Sequence, residues 1–180
     1  MDGLRLTQQL SREHEVIRKV LESLQEMDEK SRRTRSIDTA FLKGVIDFSQ
    51  HFIDACHHAK EERCLFTCLE RRGIHRDGGP IGVILYEHEL SRSLVRLIQD
   101  AVTRYERGEA DVNEVLDRCI EYVELLRQHM YKEDNILFPM GDSVMVDEDQ
   151  EEASRCSKQL ESPTHERLLK LAHSLTHHES

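Results

Sequence analysis

At 180 residues the chain is sized for one domain with a full hydrophobic core, and its composition, 38% apolar and 33% charged, fits a charge-decorated helical protein. A formal charge of −10 argues against nucleic acid and anionic lipid surfaces as partners, since both need a positive field. With no long apolar run and no basic-then-apolar N-terminus, the chain is expected to cross no membrane and to stay in the cytosol.

The first helix is predicted from about Thr7 to about Lys30, because Leu10, His14, Ile17, Leu21 and Leu24 recur at three- and four-residue steps. The basic, Ser-rich stretch Ser31 to Ser36 closes it. A second helix starts near Ser36, carries Phe41, Val45, Phe48, Phe52, Cys56 and His57 on its inner side, and ends at Gly73, which supplies a left-handed cap. The turn Asp77-Gly78-Gly79 follows. Pro80 opens the third helix, whose buried side is Ile81, Ile84, Leu85, His88, Val95 and Ile98, and Gly108 stops it. Asp111 with Glu114 forms a capping-box pattern for the fourth helix, which continues through Val115, Ile120, Val123, Leu126, His129 and Glu133 to Pro139-Met140-Gly141.

Beyond Gly141, the acidic stretch Asp147 to Glu152 reads as solvated linker or frayed helix. Ser162-Pro163 then announces a last amphipathic helix with Leu168, Leu169, Leu171, Ala172 and Leu175 free to pack, more a lid or docking helix than a carrier of chemistry. The chain is therefore expected to be all-α: an antiparallel up-down-up-down four-helix bundle over residues 1–141, with an acidic linker and C-terminal helix packed on it over residues 142–180. The five cysteines have no framework spacing and read as free, buried thiols in a reducing compartment.

The chemistry lies in a duplication. Residues 57 to 66 and 129 to 138 match at His57/His129, Lys60/Lys132, Glu61/Glu133, Leu65/Leu137 and Phe66/Phe138. Each decamer is preceded by a shared triplet, Glu13-His14-Glu15 or Glu87-His88-Glu89, with Arg18 and Arg92 also in register. In a helix, His57 with Glu61 and His129 with Glu133 each present an imidazole and a carboxylate to one point. His14 and His88 add one imidazole each, so a bundle could converge four imidazoles and two carboxylates at its centre, as dinuclear carboxylate sites do. Taken singly, each piece is more often a buried core histidine or a surface pair. Two copies in the same order place Glu61 and Glu133 beside apolar stripes, where unpaired carboxylates are costly and a metal removes that cost. The nitrogen-rich set suits iron better than calcium or magnesium, and a tetrahedral zinc site would need only about four ligands. Glu62 and Asp134 read as supporting or solvent groups, and Lys60 and Lys132 as snorkelling surface residues. The tail histidines His165, His173, His177 and His178 lack acidic or Cys partners and are left outside the site.

These residues resemble the hemerythrin-like proteins with the HHE cation-binding domain, over about Leu4 to Gly141. The resemblance rests on Glu13-His14-Glu15, His57-x-x-x-Glu61 with Leu65-Phe66, Gly79-Pro80 before Glu87-His88-Glu89, and His129-x-x-x-Glu133 with Leu137-Phe138-Pro139. It implies the four-helix bundle and two irons per chain, joined by an oxo or hydroxo bridge. His14, His57, His88 and His129 would then be terminal ligands and Glu61 and Glu133 bridges. One departure stands out. Oxygen-carrying hemerythrins have two His four residues apart on the third helix, but Ile84 and Arg92 flank His88 at those distances. His58 with Glu62, repeating the four-residue spacing, or Glu87, Glu89, Tyr86 or solvent could substitute; an exposed His58 beside a ligand is the plainer alternative. The resemblance implies binding or sensing of dioxygen, nitric oxide or peroxide, with reversible oxygen storage less favoured because the ligand set is incomplete. It also leaves open an enzyme of peroxide or nitric oxide detoxification or iron–sulfur cluster repair, and an iron-responsive module that docks a protein partner through its C-terminal helix.

Overall fold

A computed structural model describes residues 4–160 and 165–177, and every regular element among them is helical. Four long helical rods carry most of the chain. The first is α1 (Leu6–Thr34). The second starts as α2 (Thr39–Phe48), widens into π-helical turns over Ser49–His58 and Glu61–Leu65, and ends as α3 (Phe66–Arg71). The third is α4 (Pro80–Glu106), and the fourth runs from α5 (Val112–Lys132) through a π-helical turn, Glu133–Leu137, into α6 (Phe138–Val144). Two further helices follow, α7 (Asp147–Leu160) and α8 (His165–Thr176). Among the described residues no helix is long and apolar enough to cross a membrane.

The ends follow local chemistry, in part differently from expectation. The Ser-rich stretch does not close α1, because Ser31 is buried and Arg32 reaches both Asp28 and Asp117, which carries the helix to Thr34 before Arg35 turns left-handed. The second rod is capped by Asp38 rather than Ser36, its carboxylate accepting the Phe41 N–H at 2.9 Å. Gly73, at φ +88°, ends that rod as expected. Asp111 accepts the Glu114 N–H at 3.0 Å and starts the fourth rod. This rod passes through Pro139-Met140-Gly141, with Pro139 placed directly after the π-helical turn.

Buried apolar residues form two clusters. The larger includes Ile17, Leu21, Leu24, Phe48, Phe52, Ile98, Val123 and Leu126. The smaller includes Leu6, Leu10, Leu65, Phe66, Ile81, Ile84, Leu137 and Phe138. Along each rod the repeated histidines fall between residues of one cluster and residues of the other. The metal-ligand candidates thus occupy a polar layer that divides the core.

The C-terminal part differs most from the sequence reading. The acidic stretch is neither linker nor frayed: it is the first half of α7, with Asp149 buried, bonded to Arg72 at 2.6 Å and accepting the Val146 N–H at its own N-terminus. Ala153 and Ser157 are buried beneath this helix. Cys156 on α7 is disulfide-bonded to Cys64 in the second rod, across 92 residues of sequence. The expectation of five free thiols therefore fails for this pair, because α7 brings to Cys64 a partner that sequence spacing does not reveal. Cys56, Cys68 and Cys119 form no disulfide and are buried as expected, and burial pushes the Cys119 thiol up to about 12. Helix α8 buries Leu168, Ala172 and Leu175, while Leu169 stays exposed. Leu175 packs so closely on Gly44 that a Cβ there would lie 2.9 Å from its Cδ2. Ser162-Pro163 and His178 lie outside the described residues.

Candidate metal centre

Each of the four rods delivers one of the repeated histidines to the dividing layer. His14, His57, His88 and His129 meet Glu61 and Glu133, and none of the six is more than 1% exposed. Glu61 faces two ways, with Oε1 at 3.5 Å from His57 Nε2 and Oε2 at 3.3 Å from His88 Nε2. Glu133 Oε2 lies 3.2 Å from His14 Nε2 and 3.3 Å from His129 Nε2. Both carboxylates thus reach histidines of both sequence halves. The donor atoms form two groups that could hold a metal ion, His14, His57, Glu61 and Glu133 in one and His58, Glu61, His88 and His129 in the other, each with its atoms within 4.8 Å of one another.

His58 is not the exposed neighbour of the plainer reading. It is buried and stacks on His88 with ring centroids 3.8 Å apart. Two adjacent residues on one helix would ordinarily diverge. Here the rod is π-helical through His58, with the Ala59 N–H donating to the Asp54 carbonyl five residues back, so successive side chains turn by less and both imidazoles face inward. The same widening follows each carboxylate, where Phe66 N–H donates to the Glu61 carbonyl and Phe138 N–H to that of Glu133. Such π-turns concentrate at functional sites. The repeat places Met130 opposite His58, so the fifth imidazole breaks the internal symmetry.

Around this layer runs a second ring of charge, repeated four times. The Nδ1 of His14 bonds Asp134 at 3.0 Å, that of His57 bonds Glu13 at 2.7 Å, that of His88 bonds Glu62 at 2.7 Å, and that of His129 bonds Glu87 at 3.1 Å. Each carboxylate is held in turn by a cation: Arg18 on Asp134, Lys60 on Glu13, Arg92 on Glu62 and Lys132 on Glu87. Glu62 and Glu87, offered as auxiliary ligands, thus serve as partners of ligand candidates, turning each Nε2 inward. Lys60 is not a snorkelling surface residue but fully buried, because Glu13 beside it needs a counter-charge. Glu13 is the residue the sequence reading passed over. Its signal was the matching position of Glu87 in the repeated triplet. Glu89 and Tyr86 remain outside, Glu89 pairing with Arg92 at the surface and Tyr86 exposed.

The electrostatics follow from these contacts. Burial would raise Glu13 and Glu62, but hydrogen bonds from His57 and from His88, with the charges of Lys60 and Arg92, hold both down at about 2. Burial opposes the charge on His14 and His88 as well, yet the adjacent carboxylates of Asp134 and Glu133, and of Glu61 and Glu62, lift them to about 10 and about 9. His58, with burial and positive neighbours acting together, is pushed well down and stays neutral.

The polar atoms of this layer fit a cation. Both oxygens of Glu61 and of Glu133, both ring nitrogens of His58, and Nε2 of His88 and of His129 are buried without a hydrogen-bond partner. An unpaired buried carboxylate is among the costliest groups a core can contain. His14 and His57 also point their Nε2 atoms at each other across 3.0 Å. If each ring donates its Nδ1–H to its carboxylate, two lone pairs face each other, which only a proton or a metal ion between them resolves. His165, His173 and His177 join neither group; His165 instead stacks on Phe52, and His173 lies against His177. Residues 5–141 match the family model for the Hemerythrin HHE cation binding domain. Comparison with curated proteins and with solved structures returns no match.

Proposed function

Since the chain belongs to the hemerythrin HHE cation-binding domain family and so binds metal cations, we propose that it is a non-haem di-iron protein that binds or senses a small ligand, dioxygen, nitric oxide or peroxide. The observation that carries this reading is the pair of four-donor groups sharing Glu61, in which the inward atoms of Glu61, Glu133, His58, His88 and His129 lack a hydrogen-bond partner and those of His14 and His57 face each other. His14, His57, Glu61 and Glu133 would hold one iron. His58, His88 and His129 would hold the other with Glu61, and Glu133 reaches toward both. Iron so held would supply reversible electron transfer to a bound diatomic or peroxide.

The chain's own residues supply position, charge and dryness. Asp134, Glu13, Glu62 and Glu87 fix the ring orientation and tautomer of the four repeated histidines, so that each Nε2 faces the centre. Phe138 stacks on His14 at 5.5 Å and Phe66 on His88 at 6.2 Å, and with Leu65 and Leu137 they exclude water from that end of the layer. Ile84 does not leave a gap where a third-helix imidazole would stand, since it is buried in the smaller apolar cluster. His58 supplies the fifth imidazole instead. This favours reversible oxygen storage more than the sequence did, because the objection to it was an incomplete ligand set.

The four rods follow one another in up-down-up-down order in this reading, residues 1–141 forming the metal-binding bundle and residues 142–180 a cover on it. Metal analysis and an optical spectrum of protein purified under iron-replete conditions, then exposed to oxygen, nitric oxide and peroxide, test the function. About two irons per chain and a spectrum that responds to one of the three are expected; no iron, or one tightly held zinc, would sink the di-iron reading. Catalytic turnover of peroxide or nitric oxide, rather than stoichiometric binding, would move the protein to the enzyme class.

A further inference from the structure

The internal repeat lets one face of the bundle be compared with its counterpart, and the two differ. Between the third and fourth rods lies an open apolar groove of about 190 Å³, lined by Pro80, Val83, Ile84, Lys132, Ile136 and Leu137. Its rims are exposed, Val83 at 50% and Ile136 at 49%, while Ile84 and Leu137 form a buried floor. Ile84 lies one turn before His88, and Leu137 lies one turn after Glu133. The floor is therefore roughly 5 Å along the helices from the inward-facing donors.

By the repeat offsets, the matching positions in the first half are Leu6, Gln9, Leu10, Lys60, Cys64 and Leu65. All but Gln9 are fully buried there. Helix α7 covers them, with Ala153, Cys156 and Leu160 packing into the same apolar cluster. Cys64 stands where the open face has Ile136, and it carries the bond to Cys156. One of two equivalent approaches to the metal-binding layer is thus shut by a covalently fastened helix and the other is open.

We propose that a small uncharged ligand of diatomic size reaches the metal-binding layer through the groove over Ile84, and that α7, latched by Cys64–Cys156, closes the matching approach. This rests on the di-iron reading above. The lining is aliphatic apart from the stem of Lys132, whose ammonium is held by Glu87, so it would admit dioxygen or nitric oxide but gives an ion nothing to replace its hydration. Opening the latch requires a dithiol reductant, which delivers two electrons and two protons to the disulfide, leaves two thiols, and is itself oxidised to a disulfide.

The test uses the iron-loaded full chain. Val83→Trp and Ile136→Trp, at exposed rim positions that touch no donor, should leave iron content and spectrum unchanged and slow the association of dioxygen or nitric oxide by about tenfold or more in stopped flow. In the doubly blocked protein, Cys156→Ser or dithiothreitol should restore much of the rate by freeing α7. A wild-type protein that binds one of these gases at a rate the indoles do not change would overturn the proposed route. A blocked protein whose rate stays low after the latch is opened would overturn the role given to α7. Iron-loaded wild-type protein that takes up neither gas but responds to peroxide would overturn this proposal alone, and one that responds to none of the three would overturn the small-ligand reading with it.

Discussion

Replacing His58 with Leu should move metal binding and folding stability in opposite directions. The ring is buried, with neither nitrogen hydrogen-bonded, and burial with the charge on His88 stacked against it keeps it neutral. In metal-free protein a neutral imidazole so placed forfeits a donor and an acceptor, each worth about 1–3 kcal/mol when left unsatisfied. Leu fills a similar volume without that penalty, and the lost stacking on His88 takes back roughly 0.5–1.5 kcal/mol. The net expectation is a metal-free protein more stable by about 1–3 kcal/mol, which at a urea slope of about 2 kcal/mol/M raises the midpoint by roughly 1 M. The loaded protein should behave oppositely. Losing an outer supporting group typically weakens metal affinity about 10–100-fold, so losing a donor should reach at least the upper end of that range for one iron. Urea unfolding of chelator-treated protein and iron titration of the same sample read the two signs. A His58→Leu protein that keeps both irons with an unchanged spectrum would refute the ligand role, and one less stable when metal-free would refute the argument from its unpaired nitrogens.

Further expectations follow from the same geometry. Glu61→Ala or Glu133→Ala should deplete both irons, whereas Glu62→Ala or Asp134→Ala should weaken affinity only about 10–100-fold; equal iron content across all four variants, measured by metal analysis, would show the carboxylates misplaced. Under non-reducing conditions Cys156→Ser should lower stability to urea by about 2–4 kcal/mol, because the wild-type unfolded chain carries a long covalent loop, and the difference should vanish with reductant present. Leu168→Ala, in the larger apolar cluster, should lower stability by about 2–5 kcal/mol through the cavity it leaves. Its iron content should be unaffected, and a loss of iron in that variant would mean that α8 supports the metal layer directly.

The helical rods and their inner residues were legible because a 3.6-residue stripe needs only local periodicity, and the duplicated motif marked Glu61 and Glu133 because a charge on such a stripe calls for an explanation. His58 was legible only as a candidate. Regular α-helical phase turns it away from His57, and nothing in composition announces that the rod is π-helical there. Lys60 misled for a related reason: lysine usually snorkels, and its burial depends on Glu13, a residue 47 positions away on another rod. The fate of the acidic stretch was hidden too. Asp147 to Glu152 is polar on every side, and what orders it is tertiary, namely Arg71 and Arg72 at the end of α3 and the disulfide to Cys64.

The arrangement of charge explains why so polar a layer can lie inside the bundle. Each supporting carboxylate carries its own cation, Asp134 with Arg18, Glu13 with Lys60, Glu62 with Arg92 and Glu87 with Lys132, so the outer ring is neutral pair by pair. Glu61 and Glu133 are then the two carboxylates without a cation of their own, set among five imidazoles. In the absence of metal, the protons held by His14 and His88 offset them. Two divalent ions would displace those protons and give every orphaned donor a partner. They would also exceed the charge of the two carboxylates, leaving the filled layer electrophilic toward a further ligand. The surplus donors, the turned Nε2 atoms and the four neutral outer pairs are all accounted for when the layer holds two cations and keeps an unspent affinity for something small.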